Sequence, residues 1–144
     1  SSAGMNEADY TVITYDTPLA VARVLLEENP SMTMFHVSGA STDGSGQGKV
    51  MWARVKGKAE NALAAMPFKK VYNFRPALMK PTAGQKNVGA LMKFATAISP
   101  LLGLVFPDQI STMREVGLAM INAALKGSDK TVLEVPDLRA LAAR

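Results

Sequence analysis

Two side chains in this sequence have the type and spacing to do chemistry, the hydroxyl of Ser38 and the ammonium of Lys56. Both lie in the stretch MTMFHVSGASTDGSGQGKVMWARVKGKAE, residues 32–60. Met34, Phe35 and Val37 suit a buried strand, and Ser38, Gly39 and Ser41 mark its carboxyl end, where open α/β sheets bind ligands. Trp52 and Lys56, four residues apart, project from one face of the following helix toward the same mouth. An ammonium placed there can donate to the hydroxyls of a sugar and orient a bound nucleotide. A serine hydroxyl can bond a substrate carbonyl, or simply close the loop through an ST-turn. Plainer readings stand beside these. Lys56 has Lys49, Arg54 and Lys58 for neighbours, and most lysines are solvated. A lone Trp on a helix is more often packing than a stacking platform. His36, in mid-strand, reads as a core residue bonded to backbone rather than a base.

Composition narrows the chemistry. The 144 residues contain no cysteine and one histidine, so disulfide frameworks, thiolate metal sites and His-rich zinc sites are excluded. A net charge of +4 favours anionic ligands without pointing to nucleic acid, because no DNA-binding motif or interleaved aromatics accompany it. The basic residues Lys49, Arg54, Lys58, Lys69 and Lys70 read as a solvated face. With 48% hydrophobic residues the chain reads as one soluble globular domain. No leader pattern opens it, so a cytoplasmic location is expected. Neither a GxGxxG nor a P-loop pattern occurs, and there is no GxSxG elbow.

The elements that must position Ser38 and Lys56 follow from periodicity. Residues 6–28 form a helical stripe through Val12, Tyr15, Leu19, Ala22 and Leu26, which Pro18 interrupts. Thr17 as N-cap would start a fresh helix there, so the expectation is a kinked helix or two short ones. The strand 32–38 is expected to be apolar on both faces. Residues 39–49 form a loop with four glycines, whose amides could cradle a phosphate or serve only as a connection. A helix over 50–66 buries Met51, Val55, Ala59, Ala62, Leu63 and Met66. A strand over 69–75 with Val71 and Phe74 inside ends at Arg75-Pro76. The apolar segment 88–106 carries Lys93 and Pro100, which argues against a membrane span and for short helices over 87–98 and 100–105. A capping box, Thr112 with Glu115, opens a helix to residue 126, with Val116, Met120, Ala123 and Ala124 inside and Gly127 after it. A strand over 131–135 and a helix starting at Pro136 finish the chain. The order implies an α/β fold, a partial Rossmann-like layer structure of about three parallel strands with helices on both faces.

On SSAGMNEADY, FHVSGASTD, MWARVKGKAENAL, NFRPALMKP and ISTMREVGLAM, the chain resembles the C-terminal half of an atypical short-chain dehydrogenase/reductase. More closely, it is similar to bacterial NAD(P)-dependent epimerase-like oxidoreductases. The resemblance covers nearly the whole chain, and VSGA…WARVKGKAE is its most specific part. It implies an NAD or NADP cofactor, with Lys56 on the nicotinamide ribose, Ser38 polarising a substrate oxygen, and the backbone at Pro76 and Ala77 near the nicotinamide. The family's tyrosine position, four residues before Lys56, holds Trp52, and its asparagine position holds Thr14. An indole N–H donates a hydrogen bond but is not a general acid near neutral pH, so the family's usual ketone–alcohol hydride chemistry is not expected of it, although Tyr72 or Tyr15 could substitute. The family's N-terminal Gly-rich half, which holds the pyrophosphate, has no counterpart in these residues, which leaves the strand at 32–38 with an unpaired edge. The resemblance also implies a homodimer through the helices 6–28 and 50–66. Two alternatives stand apart from the enzyme reading: a non-catalytic dimeric interaction or regulatory domain using residues 88–106, and a lipid-surface protein using the same segment.

Overall fold

A computed structural model describes residues 2–81, 85 and 107–144, in two units that divide after Asn73. The expected helices over 87–98 and 100–105, and the contact surface 88–106, lie outside the described residues. The first unit begins with α1 (Glu7–Thr11), whose N-cap Asn6 accepts a hydrogen bond from the amide of Asp9 at 2.9 Å. The chain stays helical through a π turn, Val12–Asp16, into α2 (Thr17–Glu28).

Thr17 is therefore not an N-cap. Its backbone is right-handed helical, and both its amide and its hydroxyl (2.8 Å) donate to the carbonyl of Val12. The wide turn absorbs Pro18, which has no N–H to offer, without ending the helix. It also inserts one residue into the helical period. The stripe holds from Tyr15, within the turn, onward: Leu19 and Ala22 are buried, and Tyr15 and Leu26 pack beside them. Before it the faces rotate, so Tyr10 is buried while Val12 is 56% exposed.

Strand β1 (Thr33–Val37) leads through the glycine loop to α3 (Met51–Ala64) and then to β2 (Lys70–Arg75). Alternation along the strands sorts their side chains. Met34 and Val71 join Leu19, Ala22, Leu63 and Phe68 in the core cluster. On the alternate positions Phe35 stacks on Tyr72, with ring centroids 5.5 Å apart. Of the face residues expected on α3, Val55, Ala59 and Leu63 are buried, while Met51, Ala62 and Met66 are half-buried. Ala53, Gly57 and Glu60 are buried as well.

In the second unit, β3 (Leu78–Lys80) runs parallel to β4 (Ile110–Thr112), a pair that three-residue segments are too short to announce by pattern. Thr112 and Glu115 do form the capping box of α4 (Met113–Lys126). Val116, Ala119 and Ala123 are its buried residues, Met120 is half-buried and Ala124 is exposed. Gly127 ends the helix at φ +73°, a conformation that suits glycine. Strand β5 (Val132–Glu134) leads directly into α5 (Val135–Ala142), where Pro136 sits in the first turn and Leu138 and Leu141 are buried.

The strands order β1-β2-β5 in a parallel sheet, an α/β arrangement of the partial Rossmann-like kind. The central strand is buried from Val71 through Phe74. Strand β1 lies at the end of the order, and for that reason it is half-buried, with Val37 exposed, rather than covered on both faces.

Candidate functional site

Lys56 and Ser38 meet, through a different pair of atoms from those their types suggest. Lys56 Nζ donates to the backbone carbonyl of Ser38 at 2.6 Å, while the Ser38 hydroxyl, buried, donates to Glu60 Oε1. Helix periodicity produces this arrangement, because Lys56 and Glu60 are four apart and face the end of β1 together. Burial pulls the Lys56 pKa below its ordinary 10.5, and the Glu60 carboxylate opposes that pull. An ammonium has three N–H donors. Among the described residues, the carbonyl of Ser38 is the one hydrogen-bond partner of the Lys56 ammonium.

Lys56 borders a cleft of about 400 Å³ within the first unit, in the range where small-molecule sites occur. Tyr10, Thr14 and Pro18 from the opening helix, and His36 and Val37 from β1, line it too. The π turn matters here, since the rotation of faces it introduces puts Tyr10 on the inner side of the helix. His36 Nδ1 lies 3.0 Å from Asn73 Oδ1. Burial lowers the His36 pKa below the ordinary 6.5; the bond to Asn73 and the charge of Glu60 oppose this, and the charge of Lys56 adds to it. The imidazole is therefore neutral near pH 7. It bonds a side chain, where the sequence suggested backbone.

The glycine loop is organised from within. The Asp43 carboxylate accepts from the amide of Ser45 at 3.0 Å, the hydroxyl of Ser45 at 2.7 Å and the amide of Gly48 at 2.6 Å. These bonds, the Ser45 hydroxyl first, hold the Asp43 carboxyl below the usual carboxylate range. Amides committed to a carboxylate do not cradle a phosphate, so the loop is a connection rather than an anion site. It is fastened to α3 by Asp43 N to Ala53 O (3.1 Å), Asn61 Nδ2 to Gly44 O (2.9 Å) and Arg54 to the carbonyl of Gly48. Arg54 also pairs with Glu7 at 2.6 Å, so it is not simply solvated. Gly57 admits this approach, because a Cβ there would stand 1.6 Å from the carbonyl oxygen of Asp43.

Of the residues singled out in the sequence, Ser38, Lys56 and Thr14 are thus brought to one region. Trp52 is half-buried and is not among the residues lining the cleft. Tyr72 is buried and stacked on Phe35. Tyr15 packs against the core cluster. Pro76, buried, and Ala77, half-buried, link β2 to β3 in the second unit. Tyr10 and Glu60 escaped sequence reasoning. The spacing of Lys56 and Glu60 was a visible signal for the second, but nothing announced the π turn that turns Tyr10 inward.

The cleft's donors fit the hydroxyl-rich nicotinamide-ribose end of a dinucleotide. The glycine loop does not fit its pyrophosphate, since Asp43 both occupies the amides and repels an anion. Among the described residues no group of three or more His, Cys, Asp or Glu is placed to hold a metal ion, and no helix is long and apolar enough to cross a membrane. No protein-family model matches the sequence, and no curated protein matches it significantly.

Proposed function

We propose that this chain is an atypical NAD(P)-binding, oxidoreductase-like protein of the epimerase kind, whose cleft in residues 2–73 takes the nicotinamide-ribose end of the cofactor. The observation that carries the reading is the half-buried Lys56 ammonium, fixed by the Ser38 carbonyl at the edge of a cleft that Thr14 also lines. Lys56 and Thr14 would hold ribose hydroxyls there, and the bound cofactor supplies hydride chemistry. Ser38 serves as the anchor of Lys56 through its carbonyl, and Glu60 balances the charge behind it. Trp52 in the tyrosine position is no proton donor, so standard ketone–alcohol chemistry needs another group.

The test is titration with NADH and NADPH, reading energy transfer from Trp52, the sole tryptophan, to the reduced nicotinamide, with calorimetry in parallel. Saturable binding that weakens at least ~10-fold in Lys56→Met, the loss of about 1.4 kcal/mol, is expected. Affinity weaker than about 1 mM for both cofactors overturns the reading.

A second reading, a self-associating interaction domain, draws on one specific observation. Val12, Ile13, Val21 and Val24 all lie more than half exposed along the opening helix. Together with the helix at 50–66 they would form the homodimer face. Light scattering at increasing concentration decides it, and a monomer throughout removes it.

A further inference from the structure

The cleft has a binding group in Lys56 and lacks the tyrosine expected beside it, so the source and destination of a proton must lie elsewhere among its walls. His36 is placed for that work. It sits two residues after Met34 on the same side of β1, next to Asn73 of β2, which is 2% exposed. Asn73 Nδ2 donates, at a long 3.5 Å, to the carbonyl of Glu60. The amide nitrogen is thereby turned toward α3, and Asn73 Oδ1 is the acceptor facing the ring. A carbonyl oxygen facing Nδ1 requires a hydrogen on Nδ1. The neutral ring is then the Nδ1–H tautomer, and Nε2 carries a lone pair. Among the described residues Nε2 has no hydrogen-bond partner, and His36 is one of the residues that line the cleft with Lys56.

We propose that His36 is the proton acceptor and donor of the cleft, acting through Nε2 on a hydroxyl of a sugar-like or secondary-alcohol ligand, with Asn73 as the residue that positions it. This rests on the reading of the cleft as a hydroxyl-binding site. In the transfer the ligand O–H bond breaks and an N–H bond forms at Nε2. The oxygen left behind is paired with the Lys56 ammonium, while the imidazolium keeps its Nδ1–H bond to Asn73. The proton returns by the same path, and no oxidation state at His36 changes. The charged and titratable groups around the ring are Lys56 and Glu60 from α3 and Tyr10 from α1. Lys56 and burial keep the ring neutral at rest, whereas Glu60 and Asn73 favour its charged form. A group held between such influences and used as a general base is worth roughly 10²–10⁴ in rate.

His36 is the only histidine, so every imidazole signal of the protein belongs to it. Nitrogen-15 NMR of the intact chain at pH 7 should show a protonated Nδ1 and a bare Nε2, with a protonation midpoint below 6.5. Asn73→Leu should release the ring to a mixture of tautomers, a change that loss of packing alone does not produce. Titration with NAD or NADP should move the Nε2 resonance, and the shift should vanish in Lys56→Met. A bare Nδ1 with protonated Nε2 in the native protein overturns the proposal. Cofactor that binds through Lys56 and leaves Nε2 unmoved overturns it while sparing the reading of the cleft. Cofactor that does not bind at all overturns both. If Asn73→Leu fails to fold, the native tautomer and the cofactor titration still decide the matter.

Discussion

The glycine loop and the cleft are both polar regions of the first unit, and they spend their hydrogen bonds in opposite ways. In the loop, Asp43 takes up the amides of Ser45 and Gly48 and the Ser45 hydroxyl, while Asn61 and Arg54 take up the carbonyls of Gly44 and Gly48. In the cleft, Lys56 uses one of its three donors on protein and His36 uses one ring nitrogen. The region richest in glycine and serine has thus turned these groups inward, and the one carrying single polar side chains on an apolar wall keeps donors and an acceptor in reserve. A binding site needs unspent hydrogen-bonding capacity, and residue composition alone does not reveal how that capacity has been spent.

The contrast breaks hardest at Gly57. Gly57→Ala puts a methyl group against the Asp43 carbonyl, a backbone atom that cannot swing aside. The loop must lift off α3, and a loss of about 3 kcal/mol or more is expected by chemical denaturation. Glu60→Ala comes next. It strips the buried Ser38 hydroxyl of its acceptor and Lys56 of its countercharge, at roughly 1–3 kcal/mol, and should lower the Lys56 pKa further in a lysine-resolved NMR titration.

Asp43→Asn sharpens the comparison with a smaller effect. The folded-state pKa of Asp43 is depressed, so its contribution is present above the ordinary value of 3.8 and is lost as pH falls through the folded value. The variant should melt at a lower temperature than the native protein at pH 7, and the difference between the two should shrink in acid. The smallest effect belongs to His36→Gln. A depressed histidine likewise contributes stability above 6.5 that is lost as pH falls through its folded value, because the buried ring must then charge. With no other histidine in the chain, the variant should flatten the melting-temperature profile just below pH 6.5.

Much of the fold was legible because local signals were strong. The capping box at Thr112 and Glu115, the apolar Met34, Phe35 and Val37, and Arg75-Pro76 at the end of β2 each act over a few residues, and each marked a real boundary or element. The apolar stripe of the opening helix holds from Tyr15 onward and fails at Val12, since a π turn changes the period that the spacing assumes. The β3–β4 pair was missed because its segments hold three residues each, and their pairing is a long-range choice.

The candidate site divides along the same line. By itself the sequence determined that a lysine and a serine flank one strand–loop–helix turn, that an indole stands four residues before the lysine, and that a single imidazole is present. These are matters of residue type and short spacing. Only the tertiary structure decided that Ser38 offers its carbonyl and not its hydroxyl to Lys56, that Glu60 stands behind them, and that Asn73, thirty-seven positions away, fixes the His36 ring. Hydrogen-bond partners are chosen by which atoms packing brings within about 3 Å of one another, and that choice is made between strands and helices rather than along the chain.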